Sequence, residues 1–575
     1  MTNRIGKITL IDENLIRATI PISVRMGEIA YVGKDRLVGE VIKVRPGLVD
    51  IQVYEDTTMI KINEPVEFTS DILEIELGPG LLQGIYNGLG YPLEKYDKFI
   101  QRGVRFNTID YEKKWDFKPT VKVNKKVVPG DIIGEVQETP LIVHKIMVPS
   151  GVEGKIKSIE KGSFTIKDTI AVVEDDKGKK HKLDMIQRSP IRKPRPVKKR
   201  IRMSDMLETK VRIIDGFIPL MKGGTGCVPG AFGTGKTVIE HTIARYARIQ
   251  IVIYIGCGER AAEMVELIKE FPELTDPDTG RPLIERTVLI ANTSAMPVAA
   301  RESSVYLGIT IAEYFRDQGY DVLVLADSTS RWLQALREMS GRLEEIPGQE
   351  GFPAYLESRI SEWYERAGKV ICLGSDNREG SITMIGAVSP PGGDFSEPVT
   401  QATLKVTGCF FALSRKLAYA RHYPALDPIQ SKSAYYEDLG EFFKKEKFPN
   451  WMEDIELFQQ YIREGVRIKE QIDILGDAGV SNADYLNYQL SELIRKAYLA
   501  QDVFHTVDAD TTLKRHYFML EFIKEILNWA KKFKEDSKDD IRKTISKITF
   551  ELVQMNFEED YEEQAEKIRK EVMKE

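Results

Sequence analysis

The octapeptide Gly230-Ala231-Phe232-Gly233-Thr234-Gly235-Lys236-Thr237 fits the pattern G-x-x-x-x-G-K-[ST]. Such a loop works where a strand hands over directly to a helix. Its glycines let consecutive N–H groups turn inward around phosphate oxygens, and the helix N-terminus adds its positive end. A helical run, Val238 to Ala247, follows at once. From about residue 205 to 435, apolar runs alternate with helical patterns, as in a parallel sheet with crossover helices. The expected strands are Ile251 to Ile255, Thr287 to Ala291, Asp321 to Ala326 and Lys369 to Cys372.

In a loop of this kind the lysine, here Lys236, spans the β- and γ-phosphates, and the hydroxyl that follows, Thr237, is placed to ligate Mg²⁺. The backbone of Gly230 to Thr237 and the adjoining Val238 form the expected nucleotide-binding segment. The strand run Asp321 to Ala326 ends in Asp327, a carboxylate suited to holding Mg²⁺ through water. Gly256-Cys257-Gly258-Glu259-Arg260 follows the strand run Ile251 to Ile255, and such strand ends face the ligand crevice of a parallel sheet. Glu259 there can position and polarise a water attacking the γ-phosphorus, and Arg260 can stabilise charge on the transferring group. The bland alternative is a surface Glu–Arg pair contributing little.

Length bounds the rest. The 575 residues suggest roughly three or four domains at about 100–200 residues each. The first seventy residues contain short strand patterns, such as Val49, Ile51 and Val53 alternating with Asp50, Gln52 and Tyr54, which predict a half-buried strand in a small β-barrel. Residues 103–189 are again strand-like, with turns at Pro129-Gly130 and Pro149-Ser150-Gly151. His144-Lys145-Ile146-Met147 there shares a β-hammerhead shape with carrier domains, without Lys145 being a modification site. Beyond Tyr435 the pattern becomes amphipathic helix, with Leu486, Leu490, Leu493, Ile494, Ala497 and Tyr498 on one face. The closing stretch from Lys531 is heavily charged and reads as a solvated helix or a partner-docking one.

The net charge of −6 offers no global attraction to nucleic acid or anionic lipid. One local exception is the basic, proline-broken stretch Arg188 to Arg202, read as an extended linker whose charges meet acidic neighbours. Cys227, Cys257, Cys372 and Cys409 are widely spread without metal-ligand spacing, which suits a reducing compartment. No run approaches the ~18 apolar residues of a membrane helix.

With these motifs in order, and with Ala326-Asp327-Ser328-Thr329-Ser330-Arg331-Trp332, the chain resembles the catalytic A subunits of V-type and archaeal A-type rotary ATPases. Lys145 to Pro149, Gly348 to Tyr355, Ser389 to Ser396 and Pro424 to Ser433 carry the same resemblance. It implies a multidomain α/β fold: an N-terminal β-barrel (1–70), a RecA-like P-loop core (71–102 and 190–435), an inserted β-rich bulge domain (103–189) and a helical C-terminal domain (436–575). It further implies ATP or ADP with Mg²⁺, and the roles argued above for Lys236, Thr237, Glu259, Arg260 and Asp327. Arg331 is expected beside the Mg²⁺ and carboxylate network, and Tyr423 and Phe504 around adenine. Implied partners are a non-catalytic B-type subunit in an alternating A3B3 ring, central-shaft and peripheral-stalk subunits, and a membrane sector moving H⁺ or Na⁺. No nucleic acid is expected, and the chain is placed peripherally on the cytoplasmic side of a membrane.

Some positions depart from the family pattern. Ala261-Ala262 stands where Gly-Asn is usual, Tyr423 replaces a Phe, and Asp427-Pro428 replaces Asn-Trp. Thr234 occupies the place of a redox-active Cys in eukaryotic members, so no thiol switch is expected in the loop. Two other readings use the same residues. A nucleic-acid or protein translocase would draw on the basic stretch, and a nucleotide-binding subunit that never turns over would draw on Ala261-Ala262.

Overall fold

Short strands near the N-terminus close on themselves: β1 (Ile5–Asp12), β2 (Leu15–Thr19), β3 (Glu28–Val32), β4 (Leu37–Arg45), β5 (Leu48–Val53) and β6 (Pro65–Ile72), in the order β1-β2-β5-β4-β3-β6. The computed structural model describes residues 4–20, 23–95 and 102–573. Val49, Ile51 and Val53 lie in the barrel's apolar core as their period requires. Their alternates are not in water, however. Asp50, Gln52 and Tyr54 are buried as well. Asp50 is clasped by Arg17 (2.6 Å) and Arg45 (2.9 Å), and Tyr54 donates to Glu40. Packing against the rest of the chain covers the face that alternation assigned to solvent.

The described residues fall into two compact units: Met1–Arg202 with Ile249–Val388 and Gln401–Val406, and Met203–Arg248 with Ser389–Thr400 and Thr407–Glu575. In the first unit, two four-stranded antiparallel sheets follow the barrel. One runs Lys126–Val127, Gly154–Ile159, Ala171–Glu174, Lys180–Leu183; the other Val143–Met147, Ile132–Gln137, Lys114–Pro119, Gly162–Thr165. Lys145 is an anchor, its Nζ donating to Gln318 O at 2.8 Å.

The same unit holds parallel strands in the order Glu379–Val388, Asp321–Asp327, Ile251–Glu259, Thr287–Thr293, Ile85–Tyr86. Their near-continuous apolar runs are those of strands covered on both faces. Ile251–Glu259 and Thr287–Thr293 run longer than their apolar cores predict, because polar residues at their ends stay in the ladder. Helix Val298–Asp317 is buried along its whole length. The basic stretch uses its charges inside this unit: Arg188 on Glu76, Arg195 on Asp317, and Arg192 at 2.8 Å from Glu40 and 2.7 Å from Glu302.

In the second unit, strand Thr225–Pro229 pairs in parallel with Cys409–Phe410. Helices Trp451–Leu475, Asn482–Leu493, Leu513–Ala530, Lys538–Met555 and Tyr561–Glu571 follow. The face from Leu486 to Tyr498 is buried, with the helix widening to a π turn over Ile494–Leu499. The charged closing stretch is not a free solvated helix. Ile541, Ile545, Ile548, Leu552 and Met555 are buried, and Asn556 Nδ2 donates to Ala497 O at 2.8 Å. Arg212, fully buried, ties the segment near the phosphate loop to the helical part through Gln501 (2.8 Å), Tyr498 O (2.8 Å) and an ion pair with Asp508.

Candidate functional site

In the second unit, strand Thr225–Pro229 ends in the glycine-rich turn, and helix Lys236–Tyr246 begins on its far side. Gly233 (φ 77°) and Gly235 (φ 92°) take left-handed backbone that side-chain-bearing residues disfavour. The buried Thr234 braces the turn by donating to Ala231 O at 2.7 Å. Lys236 Nζ lies over the loop, donating to Gly230 O at 2.9 Å and Ala231 O at 3.1 Å. Phe232, Thr237 and Val238 are exposed. Tyr423 and Phe504 also face solvent, and the segments that carry them are joined by a 2.8 Å hydrogen bond from Gln501 N–H to Tyr423 O. Two exposed aromatic rings held on one backbone link offer a stacking surface at low entropic cost.

The first unit gathers the acidic residues. Asp327 ends its strand with Gly256 opposite it in register, and Glu259 lies beyond that point on the neighbouring strand, opposite Thr293. Ser294 N–H donates to Glu259 O at 2.9 Å. Burial, together with the neighbouring Asp327 charge, pushes the Glu259 carboxyl up to about 7; Glu263 adds to the rise, while Ser328 and Arg331 oppose it. Arg331 stands in the first turn of helix Thr329–Arg342, with its Nη1 donating to Gln334 at 3.1 Å. Arg260 is exposed, with its Nε 3.9 Å from Glu263 Oε1, and Ala261-Ala262 begin helix Ala261–Glu270 at its N-terminal end. The Asp327 carboxylate in this unit is a hard oxygen donor, the kind that suits Mg²⁺, and the Thr237 hydroxyl in the second unit is another. The four cysteines are buried, with thiols pushed up by burial to about 11 for Cys372 and about 12 for the others.

Sequence reasoning missed what supports the Glu259 turn. Gly258 has φ 69°, and a methyl group there would come within 2.7 Å of Arg301 Cδ and 2.9 Å of Arg331 Cβ. The Gly-Cys-Gly spacing signals the tight turn, but nothing local signals Arg301 beneath it. Gly258→Ala is expected to destabilise the chain by at least about 1–2 kcal/mol, the usual cost of left-handed backbone outside glycine. A lowered denaturation midpoint checks this, and an unchanged one refutes it.

A phosphate-binding loop on a strand–helix junction, with a strand-end carboxylate pair in the same chain, defines a P-loop nucleotide-binding protein. Residues 210–433 match the nucleotide-binding domain of the ATP synthase alpha/beta family. Residues 15–70 match that family's beta-barrel domain, 106–192 its barrel-sandwich domain, and 440–546 the C-terminal domain of V and A type ATP synthase. The A subunit of the A-type ATP synthase from Methanopyrus kandleri is 48% identical over 93% of this chain and 91% of its own. The V-type ATP synthase alpha chain of Thermoanaerobacter pseudethanolicus is 47% identical over 95% and 94%, and that of Clostridium perfringens 47% over 92% and 90%. The chain belongs to this family of A subunits, or alpha chains, of A- and V-type ATP synthases, the catalytic subunits that hydrolyse and synthesise ATP.

Proposed function

We propose that the loop residues Gly230 to Val238 and the acidic strand ends act on one nucleotide. Lys236 and the loop N–H groups hold the phosphates, and Thr237 and Asp327 hold Mg²⁺. When bound, the cation would neutralise charge on the β- and γ-oxygens. Glu259 orients the attacking water and takes its proton, and Arg260 balances charge on the transferring phosphoryl group. Tyr423 and Phe504 stack on adenine. The observation that carries this reading is Glu259 itself, a strand-end carboxylate beside Asp327 whose proton affinity is tuned to about 7. Turnover of the assembled complex carrying Glu259→Gln tests it, and unchanged turnover would remove Glu259 from catalysis.

The chain works in an alternating A3B3 ring with a non-catalytic B-type subunit, linked through shaft and stalk subunits to a membrane sector that moves H⁺ or Na⁺. It sits peripherally on the cytoplasmic face, and no described helix is long and apolar enough to cross a membrane. Its barrel (1–70), core (71–102 and 190–435), bulge (103–189) and helical (436–575) domains are the parts it brings to this assembly. The translocase alternative drew its sequence support from the basic stretch, whose Arg188, Arg192 and Arg195 pair with carboxylates of their own unit.

Phe504→Ala is expected to raise KM for ATP by about 2–12-fold at little cost to kcat, the equivalent of the roughly 0.5–1.5 kcal/mol of an aromatic stack. Steady-state titration of ATP checks it, and an unchanged KM would take Phe504 out of the adenine site.

A further inference from the structure

We infer that Arg301 is a positioning residue for this reaction, holding the turn that aims Glu259 at the attacking water; the inference rests on the catalytic reading of Glu259. Arg301 is buried in the first turn of helix Val298–Asp317, immediately after the loop that leaves strand Thr287–Thr293. Its side chain reaches each strand-end segment around Glu259. Its aliphatic stem lies under Gly258, where an added methyl would meet Cδ at 2.7 Å and Cγ at 3.2 Å. Its Nη2 donates to Ser294 O at 3.2 Å, while Ser294 N–H donates to Glu259 O at 2.9 Å, so Arg301 and Glu259 grip one residue from two sides. Its Nη1 lies 3.6 Å from Glu338 on helix Thr329–Arg342, whose N-cap Ser328 follows Asp327. Its own carbonyl accepts from the Cys257 thiol at 3.4 Å.

One side chain thus references three segments to one another: its stem lies under the Glu259 turn, and its guanidinium joins the Ser294 loop to the helix behind Asp327. Only a planar fork can do so; an ammonium is a point charge with no second arm at a fixed angle. The Nε of Arg301 is buried and has no hydrogen-bond partner among the described residues. An unmet buried donor is unfavourable for stability and calls for an explanation, which a geometric demand from the site supplies. Arg301 acts through backbone and turn, without touching the nucleotide in this scheme.

The test uses the full chain assembled with its B-type partner, with kcat and KM for Mg-ATP measured for Arg301→Met, Arg301→Lys and Glu259→Gln beside the parent. Arg301→Met keeps the stem and removes the fork; its kcat is expected to fall about 10²-fold, the usual penalty for an ångström of misplacement, with KM within about threefold of the parent. Arg301→Lys is expected to lose roughly tenfold in kcat at a parental denaturation midpoint, since charge and stem remain. A kcat within about threefold of the parent in Arg301→Met overturns the inference. So does a parallel collapse of KM, midpoint and kcat, which would make Arg301 scaffold alone. If Arg301→Met does not fold, Arg301→Lys decides, and a parental kcat there overturns it. Normal turnover in Glu259→Gln would instead fail the underlying reading. Lost turnover there with a normal Arg301→Met would fail only this inference.

Discussion

Glu259→Gln is expected to cut turnover of the assembled enzyme by about 10²–10⁴-fold, the usual contribution of a positioned acid–base group. Glutamine keeps the size of the side chain and the strand end. The groups proposed to hold the nucleotide are the P-loop N–H groups and Lys236, which the change does not touch, so KM is expected to stay within a few fold while kcat falls. The pH profile separates this loss from a packing defect. Glu259 accepts a proton only when ionised, and burial with the Asp327 charge pushes its carboxyl up to about 7 in the free site. kcat/KM, which reports the free enzyme, should therefore rise with pH through about 7 and level off above it. A cation bound at Asp327 would offset the charge that raises Glu259. The acid limb in kcat should then lie at lower pH than the limb in kcat/KM. Both limbs should vanish in the Gln variant. An acid limb that survives there would assign the titration to another group.

What the sequence made legible follows from where its signals are local. The P-loop is readable because its glycine spacing is a backbone demand, met by the left-handed Gly233 and Gly235. The parallel strands are readable because burial on both faces leaves unbroken apolar runs. The register that sets Gly256 opposite Asp327 and carries Glu259 beyond it needs the ladder, which no spacing rule supplies. Asp50 and Tyr54 look solvent-facing by period, yet Arg17, Arg45 and Glu40 on the neighbouring barrel strands make their burial tolerable. The same holds for Arg192, whose linker position gives no hint of Glu40 and Glu302. Arg301 was hidden for a related reason: its partners Ser294, Gly258 and Glu338 come from separate loops and helices. The terminal helices misled because a thin apolar stripe is enough to dock when a neighbouring helix bundle offers a matching face.

Mixing the chain with its B-type partner is expected to raise Mg-ATP turnover by about 10³–10⁵-fold, the worth of an arginine finger supplied in trans. Phosphoryl transfer to water spreads charge over the equatorial oxygens of the moving group, and that charge has to be met from every side. This chain's proposed contributions are the loop N–H groups, Lys236 and Arg260, and Arg260 is an exposed side chain near Glu263. Arg331 donates to Gln334 (3.1 Å) on its own helix, and Arg301 is engaged with Ser294 (3.2 Å) at the acidic turn. A further guanidinium is therefore expected from outside, and the chain alone should bind nucleotide but turn it over slowly. The gain on mixing should disappear with Glu259→Gln in the catalytic chain, because the finger stabilises charge that only forms once the water attacks. Full activity of the chain alone, unchanged by the partner, would mean that it carries its own finger. The shared-interface reading would then give way to the translocase alternative.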